Sequence, residues 1–265
     1  RNFRKVDRSR PETGVPVGVG ITLCNPPAVI PIDVGRQLFV DEFLIESTTL
    51  RRTWHKPEYF QGNPILKPTS RWETAGGASA KPERALPFHG GVWFDPADNL
   101  FKMWYTYGAA SGIALALSKD GIKWDRPSLD VQPGTNIVRV ASEIDSITVW
   151  LDLDERNPAR RFKMYEFDRD CWKGRILFSP DGIHWKHETW VGPTYDGTSF
   201  FYNPFRKVWA ISMRSFIQPR NPPPKPEWGK GTFVVGRARR YWEDPDFVKA
   251  TQWEAGQLRG GEENW

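Results

Sequence analysis

The chain has 265 residues, 39% hydrophobic and 26% charged, with Lys and Arg exceeding Asp and Glu by five. These proportions are those of a folded globular protein and exclude both a disordered chain and a bundle of membrane-spanning helices. Most of the positive excess lies in the first ten residues (Arg1, Arg4, Lys5, Arg8 and Arg10 against Asp7). A nucleic-acid binder spreads its cations over a folded face, so neither nucleic acid nor membrane is expected as a partner.

Residues 1–36, interrupted by Pro11, Pro16, Pro26, Pro27 and Pro31, read as an extended tail. Cys24 and Cys171 match no zinc or redox spacing; one disulfide or two buried thiols both remain open. Gln37 to Ile45 reads as a strand, and residues 37–265 as one β domain. Fourteen Trp, sixteen Phe and seven Tyr, with 23 Gly and 23 Pro, point to short strands and many turns.

From residue 85 onward the chain repeats. Phe101-Lys102-Met103 returns as Phe162-Lys163-Met164, and Ser118-Lys119-Asp120-Gly121-Ile122-Lys123-Trp124 returns as Ser179-Pro180-Asp181-Gly182-Ile183-His184-Trp185, both displaced by 61 residues. A weaker third copy reads Val208-Trp209-Ala210, with Arg237 to Trp242 in place of the Ser-Asp-Gly-Trp turn. Each copy has the same order. A first strand (Gly91–Phe94, Ile147–Leu151, Ser199–Tyr202) precedes a turn and a second strand (Phe101–Tyr105, Phe162–Phe167, Val208–Met213). A third strand (Ile113–Leu117, Arg175–Phe178) runs into the Ser-Asp-Gly-Trp turn, whose Trp opens a fourth. The turn's Asp accepts backbone N–H groups, its Gly takes positive φ, and its Trp covers the hairpin end. Asp120 and Asp181 are therefore structural. Four short antiparallel strands repeating near every 60 residues describe the blades of an all-β propeller. Three blades cannot close a ring, so the domain is expected to be incomplete at its C-terminal end, with another segment or another chain supplying the rest.

The run Gly-Gly-Val-Trp-Phe-Asp-Pro, then Leu-Phe-Lys-Met-Trp-Tyr and Ser-Lys-Asp-Gly-Ile-Lys-Trp, resembles the five-bladed propeller glycoside hydrolases of family 32 and, more distantly, family 43. The resemblance covers residues 37–250. It implies a five-bladed β-propeller and hydrolysis of a glycosidic bond in an oligo- or polysaccharide by carboxylates at the propeller axis, with no cofactor. It further implies an extracellular or periplasmic setting. The Asn-Asp-Pro-Asn-Gly, Arg-Asp-Pro and Glu-Cys motifs of family 32 are absent, so sucrose or fructan cleavage is not implied.

Glycoside hydrolysis needs a proton donor and a second carboxylate. Asp145 and Asp196 each stand seven residues ahead of the turn after the first strand, which makes them the preferred catalytic acids. The first copy has Phe88 there, with His89 beside it and Glu83 five residues earlier as a third candidate. His89, Trp93, Trp150 and Arg214 are candidate sugar-binding residues, Arg214 for an acidic sugar; Trp72 and Trp172 are further stacking candidates. His184 and His187 give only a weak metal signal, and no metal site is expected. Two other functions stay open. One is a non-catalytic carbohydrate-binding propeller; the other is a phosphorylase, which would need Arg or Lys clustered beside the acid.

Overall fold

A computed structural model describes residues 42, 45–74, 83–87, 89–108, 112–140, 144–169, 173–192, 194–217, 236–253 and 259–260. The chain divides into two compact units, residues 1–57 with 204–206, and residues 58–203 with 207–265. In the first unit Arg52 pairs with Glu42 at 2.6 Å and lies over Trp54. Most of the expected strand Gln37–Ile45 lies outside the described residues. At its end the Ile45 N–H donates to the Glu42 carbonyl at 3.0 Å, a turn contact. Cys24, Cys171 and Trp172 also lie outside them.

Among the described residues the second unit is all-β apart from two one-turn helices, α1 (Arg71–Thr74) and α2 (Phe247–Ala250), and a 3-10 turn at Pro158–Arg160. Its strands form three antiparallel sheets. The first contains β1 (Ala85–Leu86), β2 (Val92–Asp95), β3 (Leu100–Tyr107), β4 (Gly112–Ser118) and β5 (Ile137–Val140). Both β1 and β2 pair with β3, so they are two halves of one edge, parted at residues 87–91. The second sheet runs β6 (Ile144–Leu151), β7 (Phe162–Asp168), β8 (Lys173–Ser179), β9 (Lys186–Trp190). The third runs β10 (Ser199–Asn203), β11 (Val208–Ile217), β12 (Gly236–Asp244), β13 (Arg259–Gly260).

Why the strands read as continuous apolar runs is plain from their two faces. Trp104 on β3 packs with Ile113, Leu115 and Val138 against Ile147, Val149, Phe162 and Met164 of the second sheet. The alternate residues Tyr105 and Tyr107 face the other way, under Leu66 and Trp72. On β7 the same alternation sends Tyr165 and Phe167 to a second cluster with Phe200, Trp209, Ile211 and Met213 of the third sheet. A strand buried on both faces needs no polar side. Each such large side chain removed from water is worth about 1.5–3 kcal/mol.

Polar pins reinforce these joints. Asp95, at the end of β2, accepts from Lys102 Nζ at 2.8 Å, from the Ala97 N–H at 3.0 Å and from both terminal nitrogens of Arg161, the residue directly before β7 of the second sheet. In the second sheet Lys163 bonds Asp152 and Glu155, each at 2.9 Å. Buried Glu73 on α1 accepts from Tyr105, Arg126 and the Thr69 and Ser70 N–H groups. Burial opposes ionisation of Glu73, but these donors outweigh it and hold its carboxyl below the usual range.

The repeated turns form as their chemistry demands. Asp120 Oδ1 accepts from the Ile122 and Lys123 N–H groups, and Asp181 Oδ1 from those of Ile183 and His184, all at 2.8–2.9 Å. The Trp124 and Trp185 indoles donate to the Gly121 and Gly182 carbonyls. Gly182, at φ +80°, also accepts from the Trp104 indole at 2.8 Å, tying this turn to the first sheet.

Two details differ from the sequence reading. Trp124 does not open the fourth strand: only Asp125 bridges back to Leu117, and β5 begins at Ile137. In the third copy, Arg237–Trp242 is not a turn but the body of β12. Register explains this. Phe101 faces Ser118 and Phe162 faces Ser179, whereas Trp209 faces Asp244. The third turn is therefore Asp244-Pro245-Asp246. The Asp246 N–H donates to Asp244 Oδ1 at 2.8 Å, as those of Asp120 and Asp181 donate to Ser118 and Ser179 Oγ, and Asp246 then caps α2.

Candidate functional site

The edge strands β2, β6 and β10 of the three sheets are neighbours. The Val149 N–H donates to the Gly90 carbonyl at 3.3 Å, the Trp93 indole to the Val149 carbonyl at 2.8 Å, and the Gly197 N–H to Ser146 Oγ at 2.5 Å. Register makes the three leading ends equivalent. Val92 and Val149 stand opposite Met103 and Met164, and Thr148 and Ser199 opposite Tyr165 and Ser212. Counting back along the chain, His89, Ser146 and Gly197 fall at one position, and Asp145 and Asp196 at the one before it; Phe88, their counterpart in the first copy, lies outside the described residues.

Asp145 is the extra residue of a β-bulge: Ile144 faces Asp168 and Ser146 faces Phe167. Bulges bend a strand and re-aim what it carries. Asp196 sits in a turn pinned from below, where Thr194 and Thr198 bond each other at 2.7 Å, Thr198 Oγ1 donates to the Tyr195 carbonyl, and the Tyr165 hydroxyl reaches Thr194. The side chain of Asp196 forms an ion pair with Arg214 of β11. The Gly197–Ser146 hydrogen bond thus joins the residues that follow the two acids across two sheets.

Arg239 on β12 stands opposite Arg214 in register. Its Nη1 crosses β11 to donate to the Ser212 carbonyl at 3.2 Å and to the Gly197 carbonyl at 2.5 Å. It is close enough to His89 for its charge to be felt there. Burial first, and the Arg239 charge second, hold the His89 imidazole below its ordinary range, so it is neutral near pH 7.

The remaining candidates lie elsewhere. Glu83 is exposed in the coil ahead of β1. Trp150 is four residues further along β6 than Ser146, about 13 Å by strand rise, and Trp93 on β2 follows His89 by four residues. There they pack on each other with ring centroids 4.6 Å apart, and Trp150 continues to Trp209 at 5.6 Å. Trp72 donates to Asn136 at 3.0 Å on the far face of the first sheet. His184 bonds Asp181 and Asp130, and His187 packs on Trp190.

The sequence reading missed Ser146 and Arg239. Arg239 lies within Arg237–Trp242, a run taken for a turn, so its place on a strand and its reach across β11 went unread. A charged cluster also went unseen, in which fully buried Glu166 of β7 accepts from Arg139 of β5 and from Arg175 of β8, and Arg175 also bonds Asp168. Glu166 stands opposite Ile147, one strand out from the edge that carries Asp145.

No family model matches the chain, and no curated protein matches it. Among solved structures it is similar to a protein designated an exo-β-1,3-galactanase from Bifidobacterium bifidum s17, with 13% identity over 52% of this chain and 48% of that one and a TM-score of 0.34. It is similar to BT0996, solved as an RGII complex, at 18% identity over 64% of this chain and 54% of that one, TM-score 0.38. A third likeness is to a β-fructofuranosidase from Schwanniomyces occidentalis, at 14% identity over 64% and 46%, TM-score 0.30. The chain spans about half the length of these structures.

Proposed function

We propose that this chain supplies three blades of a five-bladed propeller and acts as a glycoside hydrolase on an oligo- or polysaccharide, with Asp145 and Asp196 as its acids. One observation carries the reading: the Gly197 N–H to Ser146 hydrogen bond, which draws the leading end of β6, bearing Asp145, to the turn before β10, bearing Asp196. Glycosidic cleavage needs one carboxyl to protonate the departing oxygen while another serves as base or nucleophile on the far side of the sugar. Asp196, ion-paired with Arg214, suits the second role, and Asp145 takes the first. Neutral His89 is fitted to hydrogen-bond a sugar hydroxyl. The remaining blades come from another segment or another chain, and an extracellular or periplasmic setting suits a polysaccharide substrate.

The test is turnover of a panel of aryl glycosides and oligosaccharides by wild type, Asp145→Asn and Asp196→Asn. Loss of a positioned acid or base costs about 100-fold or more, and that is the expected result for each variant. Unchanged activity in both refutes the assignment. A second reading, phosphorolysis, draws on the two guanidinium groups of Arg214 and Arg239 beside Asp196. Turnover that requires inorganic phosphate would establish it in place of hydrolysis.

A further inference from the structure

We infer that Arg239 is a carboxylate-recognition residue, so that the sugar bound beside Asp196 is a uronic acid rather than a neutral sugar. The inference rests on the carbohydrate site proposed above and narrows its substrate class.

Backbone carbonyls hold Arg239 in place. Its contacts among the described residues are to two backbone carbonyls, Gly197 and Ser212, and to no carboxylate, although the side chain is exposed at the leading end of the edge strands. Both bonds use Nη1. That leaves Nη2 and Nε, two parallel donors of a rigid fork that matches a planar carboxylate. Carbonyl anchors fix the fork without neutralising it. They are also well placed, because the Gly197 that accepts from Arg239 is the Gly197 that donates to Ser146, directly after Asp196.

Its neighbours fit the same reading. Arg214, opposite it in register, already faces the Asp196 carboxylate, so the second guanidinium is not needed to balance the first acid. The ring on the other side, His89, is held neutral and adds no competing charge. A fork with no carboxylate partner among the described residues suits one singly charged carboxylate.

The experiment is calorimetric binding, with the full chain, of glucuronic and galacturonic acid disaccharides, their neutral glucose and galactose counterparts, and inorganic phosphate. Wild type, Arg239→Met and Arg239→Lys are compared at two salt concentrations, with circular dichroism to verify the fold. The uronides are expected to bind wild type about tenfold more tightly than the neutral sugars, an advantage of the size a charged hydrogen-bonded pair confers. Added salt should reduce the advantage, Arg239→Met should abolish it, and Arg239→Lys, which keeps the charge but loses the fork, should retain only part. Equal binding of neutral and acidic sugars overturns the inference, as does a preference that survives Arg239→Met or the absence of any sugar binding. Binding of phosphate that depends on Arg239, without preference for uronides, overturns it in favour of the phosphorolytic reading. The two proposals fail separately: uronides bound through Arg239 but never cleaved sink hydrolysis alone, and neutral glycosides cleaved without preference sink the carboxylate alone.

Discussion

Replacing Asp95 with Ala is the sharpest test of how the first two sheets are joined. The carboxylate is 1% exposed and takes charge-assisted bonds from Lys102, 9% exposed, and Arg161, 24% exposed. Removing one partner of a buried ion pair costs about 3–5 kcal/mol, because the other charge is left without compensation. Two features favour the lower end. Lys102 keeps Asp98 at 2.8 Å, and Arg161 can be rehydrated through its exposed quarter. A loss of about 3 kcal/mol is therefore expected at pH 7, which for a chain of this size lowers Tm by about 6–12 °C. The pH dependence supplies a second check. Burial opposes the charged form of Asp95, but Arg161 and Lys102 outweigh it, so the folded carboxyl titrates well below the usual range. A depressed folded pKa gives stability that is present above the unfolded value, about 3.9, and lost as pH falls toward the folded one. The Tm gap between wild type and Asp95→Ala should accordingly be constant from pH 7 down to about 5 and shrink below about 4. Thermal unfolding followed by circular dichroism measures both. A gap under about 2 °C at pH 7, or one that widens in acid, would show that Asp95 does not clamp the sheets.

The repeated turn offers a matched pair. Gly121 and Gly182 have φ of +72° and +80°, but an added Cβ meets nothing within 4 Å at Gly121 and lies 2.5 Å from Trp104 Cζ2 at Gly182. Gly121→Ala should cost about 1–2 kcal/mol of backbone strain, and Gly182→Ala about 1–3 kcal/mol more from the forced shift of a packed indole; equal Tm losses would contradict the account. At His184, bonds from Asp181 first and Asp130 second raise the imidazole above its ordinary range, and the Asp181 carboxyl, despite burial, is held down to about 2. A raised folded pKa contributes stability below the unfolded value near 6.5 and loses it as pH rises through the folded one. His184→Gln should therefore lower Tm most at pH 5–6 and least at pH 9, a trend whose reversal in a pH series of melts would refute the bridge.

The architecture was readable where residues repeat with their spacing. Ser118 to Trp124 and Ser179 to Trp185 form the same hydrogen bonds because each turn is closed by its own Ser, Asp, Gly and Trp. In the third copy the same office passes to Asp244-Pro245-Asp246 and a helical turn, a chemical synonym that shares one aspartate with the pattern. The spacing of Asp145 and Asp196 was read by counting along the chain; the bulge that carries the first and the turn that carries the second leave no mark in the sequence, and neither aspartate has a cross-strand partner. Arg239 could not be found that way. Its role depends on a side chain that crosses β11 to reach the next edge, a distance measured through space and not along the chain. The broken edge of the first sheet was equally hidden, since the hydrogen bond from the Gly90 N–H to the Pro87 carbonyl at 2.7 Å leaves no repeat behind it.

Trp93, Trp150 and Trp209 belong to three different sheets, yet consecutive indoles touch. Indoles in contact couple through their intense far-ultraviolet transitions, so the dichroism of the folded chain there carries a signal that these rings produce only when the sheets are together. The three rings thereby form a built-in optical gauge of whether adjoining sheets are docked, legible without any label, each pair losing its share when its own joint opens.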